Sequence, residues 1–245
     1  YLGSLGIGGK IVERVTVRVP DVIIPISEHV DRQLSAIGRT AGKTVVHNGV
    51  DYTGIQDVEP APDDWDIVFV GRLSEHKNVD VLLDAVAQLV EAGNADINCG
   101  IVGDGPERDA LESHADRLEL DSNITFLGFV EGDDKVISHM KAADVFVLPS
   151  EREGFPNTIL EANACGVPAL VADAPNNGGT AVVENGKNGL VVDLSVSAFA
   201  DAISRVLSDD SLQKTLQKGS RAFGEAHDWE RITAETETVY ERAAR

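Results

Sequence analysis

Residues 67–93 read IVFVGRLSEHKNVDVLLDAVAQLVEAG and contain a strand, a loop and a helix in succession. The run IVFV (67–70) is β-branched and aromatic, which is typical of a buried strand. Apolar residues then recur with helical spacing between Asn78 and Gly93, two residue types that often mark the start and the end of a helix. This unit therefore predicts one strand and one helix of an α/β fold.

The same alternation continues through most of the remaining chain. Amphipathic segments separate further apolar runs, and strands joined by helices lie parallel in one sheet. The runs are INCGIV (97–102), ITFL (124–127), DVFVL (144–148), PALVA (168–172) and LVV (190–192). The sequence thus predicts a doubly wound parallel sheet, followed by three helical stretches at 196–208, 211–226 and 229–244.

The residues before this sheet are predicted to form a different unit. VIIPIS (22–27), a short helix near 28–37 and TVVHNGV (44–50) predict the strand-helix-strand end of another domain. The Pro- and acid-rich segment that follows is typical of a linker. We expect four parts: residues 1–55 as the remnant of a first domain, 56–65 as a linker, 66–228 as a ligand-binding domain and 229–245 as a C-terminal helix.

Charge limits the kinds of partner that we expect. The 245 residues include 41 acidic and 21 basic side chains, for a formal net charge of −20 at pH 7. Like charge repels nucleic acid and anionic membrane surfaces, so neither is an expected partner. The acidic excess is typical of a protein that works in concentrated salt, and an ordinary acidic cytosolic enzyme fits the same composition.

Cysteine usage and hydropathy favour the cytoplasm. Cys99 and Cys165 are too few and too far apart for a disulfide framework or a CxxC metal site. No apolar run reaches the roughly 18 residues of a membrane span. We expect a cytoplasmic protein without an integral membrane segment, with peripheral attachment to a membrane left open.

The first candidate ligand-binding residues follow the strand IVFV. In doubly wound sheets, ligands bind in the crevice beyond the carboxyl ends of the strands. Gly71 allows close approach of the backbone, and two cations follow it, Arg72 and Lys77, which suit a diphosphate. Surface ion pairs of these cations with Glu75 and Asp80 explain the same residues equally well.

The next strand is followed by GDGP (103–106), which matches the start of a dinucleotide-binding fingerprint. Arg108 stands where that fingerprint needs its third glycine or an alanine. The sequence therefore excludes an NAD site at this strand end.

The most informative segment is PSEREGFPNTILE (149–161), which runs from a strand end through a tight loop into a helix. Pro156 suits the first helical position, so the free N–H groups of the helix start face the crevice, with Glu153 beside them. Glu161 falls about one turn further into the helix, on the face of Asn157. A carboxylate there needs hydrogen-bond donors, which either the hydroxyls of a ribose or a buried donor of the protein would supply.

This segment resembles the E-x7-E region of the retaining family 4 glycosyltransferases. HNGVD (47–51) is similar to the interdomain NGVD segment of that family. FVGRLSEHKN, VGDGPERDAL, FLGFV and ACGVPAL also match in order and spacing, and the resemblance covers residues 20–230 in outline. It implies the GT-B architecture of two facing Rossmann-like domains, of which this chain holds mainly the C-terminal, donor-binding one.

The resemblance also implies a role for each matching position. Arg72 and Lys77 would hold a diphosphate, Glu161 the ribose hydroxyls, Glu153 the donor sugar, and residues 128–130 the base. The implied catalytic residues are Arg72, Lys77 and Glu153, and the implied donor-binding residues are Gly71, Gly103, Gly128, Phe129, Val130, Gly154, Phe155, Pro156, Asn157, Thr158 and Glu161. Pro156-Asn157 departs from the Gly-Leu of many members, which removes one backbone donor beside the sugar.

The expected reaction is transfer of a sugar from a nucleotide-diphosphate sugar to an acceptor hydroxyl, with retention of the anomeric configuration. Cations and helix amides would stabilise the departing diphosphate, so we expect neither a metal ion nor another cofactor. The acceptor is left open among a glycan, a lipid and a small molecule. Because the resemblance assigns the acceptor site to a missing N-terminal domain, we expect this chain alone to bind donor but to transfer sugar poorly. A nucleotide-sugar 2-epimerase and a non-catalytic nucleotide-sugar-binding module are the alternatives.

Overall fold

Parallel strands form the centre of the computed structural model, which describes residues 12 and 14–244. Their bounds are β1 Trp65–Val70, β2 Cys99–Val102, β3 Ile124–Gly128, β4 Ala143–Leu148, β5 Arg152–Glu153, β6 Ala169–Asp173, β7 Asn176–Asn177 and β8 Gly189–Asp193. Six of them make one sheet in the order β3-β2-β1-β4-β6-β8, and β5 and β7 pair separately. The predicted doubly wound parallel sheet is confirmed.

Helices connect the strands and cover both faces of the sheet. Their bounds are α1 Glu28–Ala36, α2 Tyr52–Asp57, α3 Val79–Glu91, α4 Arg108–Arg117, α5 Asp133–Lys141, α6 Asn157–Ala164, α7 Gly179–Val182, α8 Val196–Ser208, α9 Asp210–Ala226 and α10 Trp229–Ala243. The chain moves outward from β1 to one edge and outward from β4 to the other. Right-handed crossovers therefore place α3 and α4 on one face and α5 and α6 on the opposite face.

The core lies where the sheet meets these helices. Ile67, Val68 and Phe69 of β1 are fully buried, as expected for a parallel strand covered on both faces. On α3, Leu82 and Val86 belong to the buried stripe that the helical spacing predicted. Each large side chain buried in this way contributes about 1.5–3 kcal/mol relative to leaving it exposed.

The segment before the sheet differs from the sequence prediction. In the described part of the chain, VIIPIS (22–27) and TVVHNGV (44–50) form no strands. A single parallel bridge pairs Ile23 with Lys43, and the Val46 N–H donates to the Pro25 carbonyl at 3.0 Å. Two short segments without further sheet neighbours are marginal as a sheet, and Pro25 has no N–H with which to extend the ladder. The predicted helix between them is present as α1. Residues 1–11 of the predicted 1–55 unit, together with 13 and 245, lie outside the described residues.

The segment interpreted as a linker, residues 56–65, is attached to the domain that follows it. It begins with the last two residues of α2 and ends with the first residue of β1. The Lys141 ammonium group donates to the Val58 carbonyl at 2.6 Å, and the Ala61 N–H donates to the Ser138 carbonyl at 2.9 Å. These bonds hold the segment against α5.

The C-terminal helix α10 returns to the N-terminal segment. The Val50 N–H donates to the His227 carbonyl at 2.9 Å, and the Trp229 N–H donates to the Val50 carbonyl at 3.1 Å. Val46 and Ile232 belong to a small apolar cluster that is separate from the main core. The end of the described chain therefore completes the packing of the residues near its beginning.

The contact between Gly49 and Trp229 provides a test of this docking. A Cβ atom at Gly49 would lie 2.6 Å from Cε3 of the Trp229 ring. Gly49→Ala should therefore force α10 away from residues 44–50 and lower the free energy of unfolding by about 1–3 kcal/mol. Urea denaturation of the wild type, Gly49→Ala, Trp229→Ala and the double variant measures the effect.

The cost of Gly49→Ala should largely vanish in the Trp229→Ala background, because the ring that the new methyl group meets is absent there. An equal cost in both backgrounds would contradict the packing of α10.

Candidate functional site

A crevice opens at the carboxyl edge of the sheet, between β1 and β4. The two strands pair in parallel, and the chain leaves them toward opposite edges of the sheet. Such a switch of direction is the usual ligand-binding position of doubly wound sheets. Two segments border it, called here the β1 loop (residues 71–78) and the β4 loop (residues 149–156).

Lys77 of the β1 loop and Glu153 of the β4 loop meet across the crevice. The Lys77 Nζ atom lies 2.6 Å from Glu153 Oε1, and the two side chains are 15% and 11% exposed. The surface pairs of Lys77 with Glu75 and Asp80, considered from the sequence, are not formed among the described residues. Lys77 therefore points into the crevice, where its charge is only partly exposed to water.

The local conformation of the β1 loop explains this direction. Residues Glu75–Lys77 form a 3-10 turn, and Asn78 follows in the left-handed region with φ 49°. The Asn78 side-chain amide then donates to the Pro149 carbonyl of the β4 loop at 3.1 Å, and the Glu151 N–H donates to the His76 carbonyl at 3.0 Å. The two loops are thus bonded to each other on both sides of the Lys77–Glu153 pair.

Arg72 is the second predicted cation of the β1 loop. Its side chain is exposed, and its guanidinium forms neither an ion pair nor a hydrogen bond with any other described residue. The proposed surface pairs of Arg72 with Glu75 and Asp80 are therefore also not observed among those residues. Its charge remains available to an anion at the edge of the crevice.

Glycines at three strand ends allow neighbouring backbones to come close. The Gly103 N–H donates to the Gly128 carbonyl at 2.8 Å, and Gly103 has a positive φ of 137°. A Cβ atom at Gly103 would collide with the Gly71 carbonyl. Packing alone therefore accounts for glycine at position 103. Beyond these glycines, the Phe129 ring is 78% exposed and Val130 packs against the core.

Gly154 of the β4 loop differs from those glycines. A Cβ atom there would meet no heavy atom within 4 Å, and its φ lies outside the left-handed region. Neither packing nor backbone conformation requires glycine at this position. The absence of a side chain leaves open space in front of the loop.

Helix α6 starts at the end of the β4 loop and directs its first backbone N–H groups toward the crevice. It begins at Asn157, and Pro156 stands at the cap position with φ −78° and ψ 100°. Pro156 was predicted as the first helical residue, and that prediction is wrong by one position because its ψ is extended. The N–H groups of Gly154, Phe155, Asn157 and Thr158 donate to no other group in the described chain.

Glu161 lies one turn into α6 and borders a cleft of about 390 Å³. Its neighbours around the cleft include Asn157, Asp51, Asp133 and Trp229. Burial raises the pKa of the Glu161 carboxyl above its ordinary value, and the Asp133 carboxylate raises it further. No hydrogen bond or ion pair joins the Glu161 carboxylate to any other described residue, so the buried protein donor considered as an alternative is not found there.

The segment HNGVD contributes two contacts that the sequence analysis did not assign to the site. The Asn48 amide donates to Asn157 Oδ1 at 2.9 Å, at the start of α6. The His47 ring lies 5.7 Å from the Phe155 ring and stacks on His227 at 5.4 Å, measured between ring centroids. Burial lowers the pKa of His227 below its ordinary value. The sequence carries a signal for these contacts, because HNGVD is similar to an interdomain segment.

Two further properties of the described residues bear on the site. They contain no group of three or more His, Cys, Asp or Glu side chains arranged to hold a metal ion. No helix among them has the length and the apolar character needed to cross a membrane.

Comparisons with known proteins agree with this architecture. Residues 53–223 match the family model described as glycosyl transferases group 1. An uncharacterized glycosyltransferase of Methanocaldococcus jannaschii is 34% identical over 192 residues, which cover 78% of this chain and 47% of the relative. The D-inositol 3-phosphate glycosyltransferase of Corynebacterium urealyticum is 35% identical over 182 residues, covering 71% and 42% of the two chains.

A solved structure shows the same fold. The crystal structure of Anabaena HepE in complex with UDP superposes with a TM-score of 0.83 at 25% identity, covering 95% of this chain and 68% of that one. This chain spans about half the length of the curated relatives that it matches. Its six-stranded sheet and the family match over residues 53–223 show that it belongs to the glycosyl transferases group 1, the family of GT-B glycosyltransferases that the E-x7-E segment predicted.

Proposed function

We propose that this chain forms the donor-binding half of an enzyme that transfers a sugar from a nucleotide-diphosphate sugar to an acceptor hydroxyl. The observation that carries the proposal is the Glu161 carboxylate, which lies half-buried beside a cleft and has no partner among the described residues. A carboxylate removed from water needs donors, and the two adjacent hydroxyls of a ribose supply a pair of them. The UDP complex of the similar Anabaena HepE supports a nucleotide as the ligand.

The diphosphate would lie between the β1 loop and the start of α6. Arg72 offers a guanidinium without a partner among the described residues, and Lys77 an ammonium group that is shared with Glu153. The four unpaired N–H groups of residues 154–158 offer further donors at the positive end of the helix dipole. These groups concentrate positive potential in a chain whose net charge is −20.

The remaining parts of the donor would extend to either side of the diphosphate. The sugar would occupy the space in front of Gly154, where its hydroxyls would donate hydrogen bonds to the Glu153 carboxylate and accept them from the adjacent backbone N–H groups. The base would lie near Gly128 and Val130, against the exposed ring of Phe129. The acceptor would be bound by a part of the complete enzyme that lies outside this chain, and its chemical class is not part of the proposal.

The proposed chemistry is transfer with retention of configuration and without a metal ion. As the anomeric C–O bond breaks, positive charge grows on the sugar and negative charge on the diphosphate. Arg72, Lys77 and the helix amides would stabilise the diphosphate as it leaves, which is the role that metal ions fill in other transferases. The acceptor hydroxyl would form its bond on the same face and pass its proton to a diphosphate oxygen.

Substitution of Gly154 tests where the sugar lies. Because a methyl group at this position would have no heavy atom of the described residues within 4 Å, Gly154→Ala should change the free energy of unfolding by less than about 0.5 kcal/mol. It should weaken binding of the intact nucleotide sugar about tenfold or more and binding of the free nucleoside diphosphate much less. Calorimetric titration with both ligands measures the difference, and equal affinities in wild type and variant would refute the sugar position.

The pH dependence of binding tests Glu161. Its pKa is raised in the free protein, and hydroxyl donors of a ligand would favour the ionised form and lower that pKa. Affinity should therefore rise as the pH increases through the raised pKa of the free protein, and then level off. The ligand should be a nucleotide sugar, because each of its two phosphates carries an ester and an anhydride bond and has no second proton that titrates over this pH range.

Glu161→Gln should remove this pH dependence and weaken binding by about tenfold, a difference of 1.4 kcal/mol. Glu151→Gln, a change to an exposed carboxylate of the β4 loop, is the matched control and should behave like the wild type. A pH profile that is the same for Glu161→Gln and wild type would remove Glu161 from the site.

Transfer by the complete enzyme tests the two cations and the metal-free chemistry. Arg72→Ala and Lys77→Ala should each lower kcat/KM by about 10²–10³, as loss of a group that stabilises a leaving anion does in other enzymes. Chelation with EDTA should leave the wild-type rate unchanged. Loss of activity on chelation that added Mg²⁺ restores would contradict the metal-free proposal.

The same transfer assay distinguishes the proposed transferase from a 2-epimerase and from a non-catalytic binding module. Isomerisation of the donor sugar in the absence of acceptor would identify a 2-epimerase, and binding without any turnover would identify a non-catalytic module.

A further inference from the structure

The β4 loop is held on its second side by the residues that follow β6. Strand β7 (Asn176–Asn177) pairs in parallel with β5 (Arg152–Glu153), and Glu153 stands opposite Asn177. The Gly178 N–H donates to the Glu153 carbonyl at 2.9 Å. A Cβ atom at Gly178 would collide with the Gly154 carbonyl, so the two backbones are in direct contact.

The side chain of Asn177 lies at the centre of this contact. It is 1% exposed, and its amide nitrogen donates to the Ser150 carbonyl at 2.9 Å and to the Ala172 carbonyl at 2.8 Å. Its Oδ1 atom accepts from the Gly179 N–H at 2.9 Å. One side chain thus joins the start of the β4 loop, the end of β6 and the start of α7.

Asn177 and Glu153 connect the β4 loop to different parts of the molecule. Asn177 contacts the backbone of the β4 loop at Ser150, whereas the Glu153 carboxylate, three residues further along that loop, contacts Lys77. The carbonyl groups that Asn177 bonds are buried, and a buried carbonyl left without a donor is costly, so the loop would move to find water or another partner. A shift of the backbone would carry Glu153 and Gly154 with it.

We propose that Asn177 is a positioning residue of the donor site. It fixes the backbone of residues 150–154 so that Glu153 stays against Lys77 and the space in front of Gly154 keeps its shape. The inference rests on the proposed function for its ligand, a nucleotide-diphosphate sugar. It assigns Asn177 no contact with that ligand.

The chain contains a matched control for a purely structural asparagine. Asn188 is also fully buried, and its amide nitrogen also donates twice, to Asn163 Oδ1 at 2.6 Å and to the Val182 carbonyl at 3.1 Å. Its Oδ1 atom accepts from the Glu184 N–H at 2.7 Å. Asn188 stands before β8, at the opposite edge of the sheet from the crevice, so its loss removes an equal set of bonds away from the site.

The first measurement is hydrogen exchange of this chain with and without Asn177→Ala. Exchange of the two hydrogen-bonded amides that anchor the β4 loop, those of Glu151 and Gly178, should become at least tenfold faster in Asn177→Ala and stay unchanged in Asn188→Ala, although both variants should melt at a lower temperature than wild type. Unchanged exchange of the β4 loop in Asn177→Ala would overturn the inference, whether or not the chain binds a nucleotide sugar.

The second measurement is the affinity for a nucleotide sugar at a temperature where every variant is folded. Asn177→Ala should weaken binding at least fivefold, and Asn188→Ala less than twofold. Glu153→Gln should add little further loss in the Asn177→Ala background but its full loss in the Asn188→Ala background, because Asn177 acts through Glu153. Additive losses in both backgrounds would overturn the inference.

Asn177→Asp tests which hydrogen bonds of the Asn177 side chain the site needs. The carboxylate keeps the acceptor for the Gly179 N–H and removes both donors, so this variant should behave like Asn177→Ala. Wild-type affinity of Asn177→Asp would show that the bond to Ser150 is not needed and would refute the inference. If the wild type binds no nucleotide sugar but the exchange result is as expected, the proposed function is wrong. The inference that Asn177 fixes the backbone of the β4 loop is then still supported.

Discussion

The parallel pairing of β1 with β4 is the constraint on which the site depends. Because these strands are neighbours and the chain leaves them in opposite directions, their carboxyl ends are the one place in the described sheet where two diverging loops face each other. Lys77 and Glu153 are 76 positions apart in sequence and come within 2.6 Å only because of this pairing. The hydrogen bonds around the pair, from Asn78 on one side and Asn177 on the other, then hold the β4 loop against the crevice.

The properties that were predictable from the sequence are those with local signals. Apolar runs mark the six strands of the sheet, Asn78 and Gly93 mark the ends of α3, and the E-x7-E segment predicted the family that residues 53–223 match. The partner of Lys77 had no such signal: Glu75 and Asp80 are closer in sequence, and only the turn that ends with a left-handed Asn78 directs the side chain toward Glu153. Residues 22–27 and 44–50 have strand-like composition but lack the neighbouring strands that would make them a sheet.

The glycines of this chain show that the role of a motif residue can be assigned only when the atoms around it are known. Gly103 and Gly178 are both required because another backbone passes where a Cβ atom would be. Gly154 has no such neighbour. From sequence alone the three are equivalent, and only the packing around them separates a glycine that the fold needs from one that leaves space for something else.

The return of α10 to the N-terminal segment has a consequence for biosynthesis. Val50 is bonded to His227 and Trp229, and Val46 packs in the cluster of Ile232, so residues near 50 find these partners only after α10 has been made. A ribosome releases the sheet before α10. The strands of the sheet therefore have their local partners before α10 emerges, whereas residues 44–50, made earlier still, keep their apolar side chains unpaired until α10 follows.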